Sequence, residues 1–258
     1  MNAKQINKEY KLYKNVLRKK YDEELSMAKS MRDSALENYY NSGEHQTKIN
    51  PPKRPLLEEI GNSITHGVGA IFSFIAFALM FLASDTIQDK ASSIIYFCGL
   101  LLMFTMSCLY HAFPFGSAVK RLFRRFDYCG IYLLIGATYA PILLSFIGGA
   151  YGTTFLIAQW LIIITGITFI AIFGPTRLKP LHMTLYVAIG WSALSFIPTM
   201  ISQSPNLFAY ILVGGIAYTL GIIPFALKKG PSHFIWHFFV LIGAIVQWLG
   251  IYQFIFLA

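Results

Sequence analysis

The chain has 258 residues, of which 55% are hydrophobic and only 13% are charged, and its formal net charge is +9. A soluble globular domain usually carries about 25% charged residues, so this composition excludes an ordinary soluble protein. The charges are also uneven, because residues 1–59 hold 12 Lys/Arg and 9 Asp/Glu whereas residues 60–258 hold 9 and 3. Only the first part has the composition of a water-exposed segment.

Residues 1–55 are predicted to form a cytoplasmic extension made of an amphipathic helix and a linker. An apolar stripe recurs at spacings of three and four residues, as is typical of such a helix, at Tyr10, Tyr13, Leu17, Tyr21, Leu25, Ala28, Met31 and Ala35. We expect this helix to rest on the inner membrane face or on the protein's own loops, with a dedicated partner-binding helix as the alternative. Three prolines predict a linker over His45–Pro55.

Residues 56–258 are predicted to form an all-α membrane domain, a bundle of seven transmembrane helices. A membrane-spanning helix needs about 20 mostly apolar residues. Seven stretches meet this requirement: Ile60–Ala83, Ser92–Phe113, Phe126–Gly148, Tyr151–Gly174, Leu181–Met200, Leu207–Leu227 and Phe234–Leu257. The gaps between them are short, so the helices are expected to pack as neighbours. Pro141, Pro198 and Pro224 fall inside stretches, where neighbouring helices can satisfy the freed carbonyl groups.

Lys and Arg residues alternate from gap to gap along this domain. The N-terminal segment holds 12, and the gaps after the second, fourth and sixth stretches hold Lys120, Arg121, Arg124, Arg125, Arg177, Lys179, Lys228 and Lys229. The gaps after the other stretches hold only Lys90. Basic loops stay in the cytoplasm, so the N-terminus is predicted to be cytoplasmic and the C-terminus extracellular. The positive charge thus reflects topology, and we expect no nucleic-acid partner.

Five of the six histidines lie in or beside the apolar stretches: His66, His111, His182, His233 and His237. Ionisable residues inside membrane segments are costly and are functional candidates by default. In the predicted topology all five lie at the cytoplasmic end of the bundle, as does Asp127, whereas a random placement would scatter them over both leaflets. We therefore expect a polar site a short way in from the cytoplasmic face.

His233 and His237 are four residues apart, which on a helix places both rings on one face. Two imidazoles need this spacing to hold one metal ion, and His111 at the same depth supplies a third. Three His ligands leave one position of a tetrahedral zinc ion open, as in catalytic sites, and imidazole suits zinc better than calcium or magnesium. Packed core histidines are the alternative, and spacing alone does not decide between the two.

Polar residues near these histidines have two interpretations each. Asp127 is either half of an ion pair at the membrane surface, with the arginines that precede it, or a carboxylate that deprotonates a metal-bound water or orients a ligand. Ser107 precedes His111 by one helical turn and is placed to bond a ligand ring, a substrate oxygen or a neighbouring helix. Asn62 and His66, also one turn apart, are interpreted as supporting or packing groups.

Four short motifs then occur in a fixed order: Glu59 with NSITH (Asn62–His66), SCLYH (Ser107–His111), FDYCG (Phe126–Gly130) and HFIWH (His233–His237). From about Glu58 to Ala258 the chain closely resembles the bacterial hemolysin III proteins. These are relatives of the progestin and adipoQ receptors, including the adiponectin receptors, and more distantly of the alkaline ceramidases. Residues 1–55 lie outside the resemblance.

The resemblance implies a seven-helix bundle with a zinc ion near its cytoplasmic face. Carried over position by position, it implies that His111, His233 and His237 are the zinc ligands. It also matches Asp127 to the aspartate linked to the metal-bound water and Ser107 to the serine of the SxxxH motif. The sequence departs from the family pattern at none of these positions.

The function expected on this basis is that of a zinc-dependent intramembrane hydrolase. It would act on a lipid amide or ester at the cytoplasmic leaflet of the bacterial plasma membrane, with Asp127 as the base and Ser107 beside it. The expected partners are therefore zinc and membrane lipids, and a homo-oligomer is compatible with the sequence. Two alternatives remain: a membrane-lytic or channel-like hemolysin, and a lipid-sensing receptor or regulator with a structural zinc.

Overall fold

A computed structural model describes residues 2–42, 50–227 and 230–258 and divides the chain into two compact units, Met1–Pro52 and Lys53–Ala258. The first unit contains one long helix, α1 (Ala3–Asn41), which begins with a capping box between the side chains and backbone of Asn2 and Gln5. The predicted linker lies partly outside the described residues, and the basic pair Lys228 and Lys229 lies wholly outside them.

The second unit is helical along its length. Its α-helices are α2 (Leu56–Leu82), α3 (Ile87–Ala112), α4 (Ala118–Ala140), α5 (Gly149–Phe173), α6 (Lys179–Gly190), α7 (Ile197–Gln203), α8 (Pro205–Leu227) and α9 (Ser232–Ile251). The π-helical segments Pro141–Ile147 and Tyr252–Phe256 extend α4 and α9, and the 3₁₀ helix Trp191–Phe196 joins α6 to α7. With these extensions, seven helices in the described part of the chain are long and apolar enough to cross a bilayer. The predicted class, an all-α seven-helix membrane protein, is confirmed, while the orientation of the termini stays a prediction.

All seven spanning helices begin earlier than hydropathy predicts, and the early starts of α2 and α4 bear on the site. Helix α2 begins at Leu56 rather than Ile60, and α4 begins at Ala118 rather than Phe126. Their first turns are charged, so an apolar stretch does not register them although they are helical. The Ser117 side chain accepts the backbone N–H of Lys120 at 3.0 Å and so caps α4. Because the helices begin this early, the charged residues of their first turns lie within the helical bundle.

Three prolines lie within the membrane-spanning segments, as the sequence predicts. Pro141 begins the π-helical segment, Pro198 lies in the first turn of α7 and Pro224 lies inside α8. Where α6 changes to the 3₁₀ helix, a tyrosine from α4 satisfies the backbone. The hydroxyl of Tyr139 donates to the carbonyl of Gly190 at 2.6 Å and accepts the N–H of Ala193 at 2.7 Å. Helix irregularity is thus compensated by a neighbouring helix.

Small residues set the close approach of helices. Helix α3 packs mainly against α2 and α4, and α9 packs against α8 and α2. A Cβ atom added at Gly61 would lie 2.7 Å from Cε2 of Phe234, so α2 comes close to the first turns of α9. At Gly99 an added Cβ would collide with the Cβ of Ala137 and lie 2.8 Å from the carbonyl oxygen of Leu133. Glycine is therefore what lets α3 reach α4.

Replacing Gly99 by alanine should therefore destabilise the bundle. We expect Gly99→Ala to lower the free energy of unfolding by roughly 1–3 kcal/mol, because the new methyl group overpacks the α3–α4 contact. The matched control is Gly215→Ala on α8, where nothing lies within 4 Å of an added Cβ. Thermal unfolding of both variants in detergent measures the difference. Equal midpoints would show that the helices are not packed as closely as described.

Candidate metal centre

Helices α3 and α9 bring three histidines together at one end of the bundle. One ring nitrogen each from His111, His233 and His237 lies within 4.8 Å of the others. His111 and His237 are 3% and 2% exposed, so water does not compensate their polar atoms, whereas His233 is half-buried. Among the described residues, these three form the group that is suited to bind a metal ion.

The spacing within this group suits tetrahedral coordination. Nε2 of His233 and Nε2 of His237 are 3.3 Å apart. Metal–nitrogen bonds of about 2.0–2.1 Å at a tetrahedral angle separate two ligand nitrogens by about 3.4 Å. The pair on α9 thus already has the separation that one small ion requires. Because the two residues are four apart on a helix, the backbone places both on one face, and their side-chain conformations bring the ring nitrogens to this separation.

A carboxylate from α2 fixes the tautomer of His111. Oε2 of Glu59 lies 2.5 Å from Nδ1 of His111, a short hydrogen bond in which the ring donates its N–H. The other ring nitrogen, Nε2, then carries the lone pair, and it is buried without a hydrogen-bond partner. Nδ2 of Asn62 lies 3.3 Å from the same Nδ1, but it is a donor, so with the ring N–H directed at Glu59 this contact is not a hydrogen bond. A carboxylate that orients a histidine from behind is the usual support of a metal ligand.

His66 adds a fourth ring to this region without joining the group of three. Its ring stacks on that of His237, with centroids 3.8 Å apart and planes 24° apart. It is 1% exposed, and neither of its ring nitrogens has a hydrogen-bond partner. It lies on α2, one turn after Asn62, and nothing in that spacing predicts His237 as its neighbour. The structure therefore puts both residues of the NxxxH pair beside the candidate ligands.

Two basic residues also reach the site, although the sequence interpretation counted one as a loop charge and placed the other in the linker. Lys120 is 1% exposed and lies 3.2 Å from Oε1 of Glu59. Nε of Arg54 lies 3.9 Å from Oε1 of Glu58, and its buried Nη1 has no hydrogen-bond partner. Its positive charge also acts on the imidazoles of His111 and His233. Hydropathy does not predict that either side chain reaches the site, because a charged residue that precedes an apolar stretch is predicted to lie in a loop.

Asp127 and Ser107 lie on facing helices, α4 and α3. The carboxyl group of half-buried Asp127 is close enough to the Ser107 hydroxyl to interact with it, and Arg54 and Arg124 attract it. A hydrogen bond of ordinary geometry does not join the two side chains, because Ser107 Oγ is buried without a partner. Asp127 therefore lies beside the histidine group and shares Arg54 as a neighbour with it, but it is not one of the three converging residues.

His182 belongs to a different place in the bundle. It lies on α6, is fully buried, and its Nδ1 is 3.0 Å from the hydroxyl of Tyr132 on α4. Proximity to the cytoplasmic end in the predicted topology therefore does not bring it into the metal group. The position of each histidine along its helix could be predicted from the sequence, whereas the rotation of each helix about its axis could not.

An apolar cavity of about 120 Å³ lies between α4, α6, α8 and α9. Its walls include Ile131, Leu134, Ile211, Ile222 and Val240. Two wall residues are direct neighbours of site residues in sequence, since Tyr128 follows Asp127 and Trp236 precedes His237. The cavity thus opens apolar space next to the polar end of the bundle.

Comparison with known proteins finds one matching family model and several proteins of similar sequence. A family model described as "Haemolysin-III related" matches residues 55–248, which include every residue of the histidine group. The chain is 36% identical over 192 residues to Hemolysin-3 of Bacillus cereus, an alignment covering 72% of this chain and 87% of that protein. It is 35% identical over 194 residues to the Hemolysin-3 homolog of Bacillus subtilis (strain 168), covering 73% and 90%. It is 28% identical over 222 residues to the adiponectin receptor protein of Drosophila melanogaster, covering 75% and 50%.

The histidine group predicts a specific pattern of metal content. We expect purified protein to hold about one equivalent of metal, and His237→Ala to lose most of it because one of only three ligands is removed. His182→Ala is the matched control, since its ring is bonded to Tyr132 instead. Elemental analysis of the folded variants makes the comparison. Equal metal content in wild type and His237→Ala would refute the site.

Proposed function

The chain belongs to the hemolysin III family of multi-pass cell membrane proteins, and on that premise we propose that it is a zinc-dependent intramembrane hydrolase acting on a lipid amide or ester. The observation that carries the proposal is the convergence of three His nitrogens, two of them from buried residues, at one end of the bundle. Neutral imidazoles favour zinc over the oxygen-seeking calcium and magnesium ions. His111 supports this choice, because its free Nε2 lone pair has no other partner.

An open coordination position distinguishes catalytic from structural zinc sites. Structural sites have four protein ligands, whereas catalytic sites have three and leave the fourth position to water or substrate. In the described part of the chain, no Cys, Asp, Glu or fourth His joins the group of three. This ligand number favours catalysis over a purely structural role.

The residues around the group have separate tasks in the proposed reaction. Zinc, when bound, supplies Lewis-acid chemistry that polarises a carbonyl group and makes water acidic enough to attack it near neutral pH. Glu59 keeps the proton of His111 on Nδ1, so that Nε2 stays available as a ligand atom. Asp127 accepts the proton of the attacking water and returns it to the leaving amine or alcohol. Ser107, beside Asp127, orients that carboxylate or the substrate oxygen.

The surroundings favour a lipid as the substrate. The apolar cavity beside Tyr128 and Trp236 suits an alkyl chain. Arg54, with a buried Nη1 that lacks a partner, is placed to donate to a headgroup oxygen. The positive-inside distribution of Lys and Arg supports the proposal that this end of the bundle lies in the cytoplasmic leaflet. We therefore propose a lipid whose scissile carbonyl lies between a chain in the cavity and a polar headgroup.

The names of the relatives raise two other candidates. Hemolysin-3 of Bacillus cereus is named for lysis, and the Drosophila relative is named as a receptor. Dye release from vesicles that persists after metal removal would favour lysis. Lipid binding without turnover by the zinc-loaded protein would favour a receptor. The three-ligand group favours the hydrolase over both, because neither of the others requires an open metal position.

The proposal predicts a selective effect of Asp127→Asn. We expect this variant to lose about 10²–10⁴-fold in hydrolysis of ceramide-type amides or phospholipid esters, because the group that accepts the proton is gone. Its zinc content should stay at the wild-type level, since Asp127 lies outside the group of three ligand residues. Chromatographic detection of the released fatty acid measures turnover in proteoliposomes.

The matched control is Asp85→Asn, which removes a carboxylate from an exposed loop between α2 and α3. We expect it to hydrolyse lipid at the wild-type rate. Zinc-loaded wild-type protein that turns over neither amides nor esters would contradict the proposal. So would equal rates in Asp127→Asn and wild type.

A further inference from the structure

Lys120 is a fully buried cation that the proposed reaction does not use. Its side chain is 1% exposed although it lies in the first turn of α4. Its Nζ donates to the carbonyl oxygens of Tyr110 and Phe113, both at 3.0 Å. These carbonyls belong to the last turn of α3 and to the residue that follows it, where a helix leaves acceptors without backbone partners. A cation there also complements the helix dipole. Lys120 therefore holds the end of α3 that carries His111.

The same ammonium group determines how Glu59 is used. Oε1 of Glu59 lies 3.2 Å from Nζ of Lys120, while Oε2 bonds Nδ1 of His111. The two oxygens are thus divided between a cation and an imidazole. Without the cation, a carboxylate in this apolar setting would lose the partner that stabilises its charge. It would then be a weaker acceptor for the His111 ring.

The geometry points to Lys120 as a positioning residue of the metal centre, acting through Glu59 to hold His111 in the tautomer that presents Nε2. This inference rests on the metal-binding part of the proposed function and not on hydrolysis. Lys120 touches neither the other two histidines nor the reacting atoms by any contact given above. Replacing Lys120 should therefore change the affinity for metal and the electronic environment of one ligand, His111.

The test measures binding of cobalt(II) and zinc to full-length protein in detergent. We expect Lys120→Met and Glu59→Gln each to weaken metal binding by about 10–100-fold, the usual cost of losing a group that supports a ligand. The visible absorption of the cobalt-loaded protein should also shift, because His111 becomes a weaker donor. Lys120→Arg should recover most of the affinity, since it keeps the charge and the donors. The matched control is Lys90→Met, an exposed lysine in the first turns of α3, which should bind as wild type does.

The double variant Lys120→Met with Glu59→Gln decides between a relay and mere structural support. If Lys120 acts through Glu59, the metal affinity of the double variant equals that of the single variant with the lower affinity. Losses that add, or a lower melting temperature with unchanged affinity and spectrum, would overturn the inference. Wild-type protein that binds metal but hydrolyses nothing would refute the hydrolase alone. Hydrolysis with unchanged affinity in Lys120→Met would refute this inference alone.

A second and independent observation concerns the surface of α1. Each large apolar side chain from Ile6 to Tyr39 is at least 41% exposed, and most of them lie on one face. The charges are divided along the helix: residues 3–20 hold seven Lys/Arg and one Asp/Glu, whereas residues 21–41 hold two and five. The basic half also carries Tyr10 and Tyr13, a residue type that favours the membrane–water interface.

We infer that the first half of α1 binds the surface of an anionic bilayer, and that the second half does not. Clusters of four to eight Lys/Arg on an amphipathic helix bind acidic lipids, and each cation near the surface adds to the attraction. The seven cations of residues 3–20 meet this description, while the acidic excess of residues 21–41 is repelled. A second copy of α1, aligned antiparallel, is the competing occupant because its acidic half matches the basic half.

Hydrogen exchange on full-length protein, with one copy in each nanodisc, separates these occupants. We expect amide protection in residues 3–20 to be about tenfold or more higher with phosphatidylglycerol present than with phosphatidylcholine alone, and to fall at high salt. The combined variant Lys8→Glu, Lys11→Glu, Lys14→Glu and Arg18→Glu should lose this gain. The matched control Lys29→Glu with Arg32→Glu should keep it. Equal protection in both lipids, or protection only when two copies share a disc, would overturn the inference.

Discussion

The pairing of Glu59 with Lys120 and His111 organises one end of this protein, because charged side chains inside an apolar bundle are costly unless they are paired. The carboxylate joins α2 to α3 through the imidazole and to α4 through the ammonium group. Lys120 in turn holds the carbonyls at the end of α3. Three helices are therefore fixed at one level by a single set of charges. Nε2 of His111 is left without a partner by this pairing and is the atom that this residue can offer to a metal ion.

Much of this arrangement could be predicted from the sequence because it depends on patterns along one helix or one gap. Apolar length gives seven spans, and the alternation of basic gaps gives a depth to every polar residue. The four-residue spacing of His233 and His237 gives a shared face. The order of the short motifs then adds His111 from another helix. Each of these inferences depends only on local helix geometry and on how many times the chain crosses the membrane.

The remaining features depend on how each helix is rotated and where it begins, which neither hydropathy nor spacing determines. Lys120 lies in the first turn of α4, where its charge lowers the local hydropathy and predicts a loop, whereas Arg54 lies just before α2, where the sequence predicts a linker. His182 has the predicted depth but faces Tyr132, and His66 stacks on His237 although nothing in its spacing selects that neighbour. Nitrogens of His66 and His111 are among the buried polar atoms without a partner, as are the hydroxyl groups of Tyr96 and Tyr218. Beside the candidate ligands they are compatible with a functional site, where such exceptions are expected.

The histidine group combines a residue near the end of α3 with two from α9, the last long helix of the chain. During synthesis the ribosome releases α9 after the six other described spans, so the nascent protein holds one residue of the histidine group until α9 enters the membrane. The group is therefore assembled late, between a helix made early and one made after the rest of the described bundle. A chain cut short before α9 would keep six apolar spans and would lack two of the three histidines.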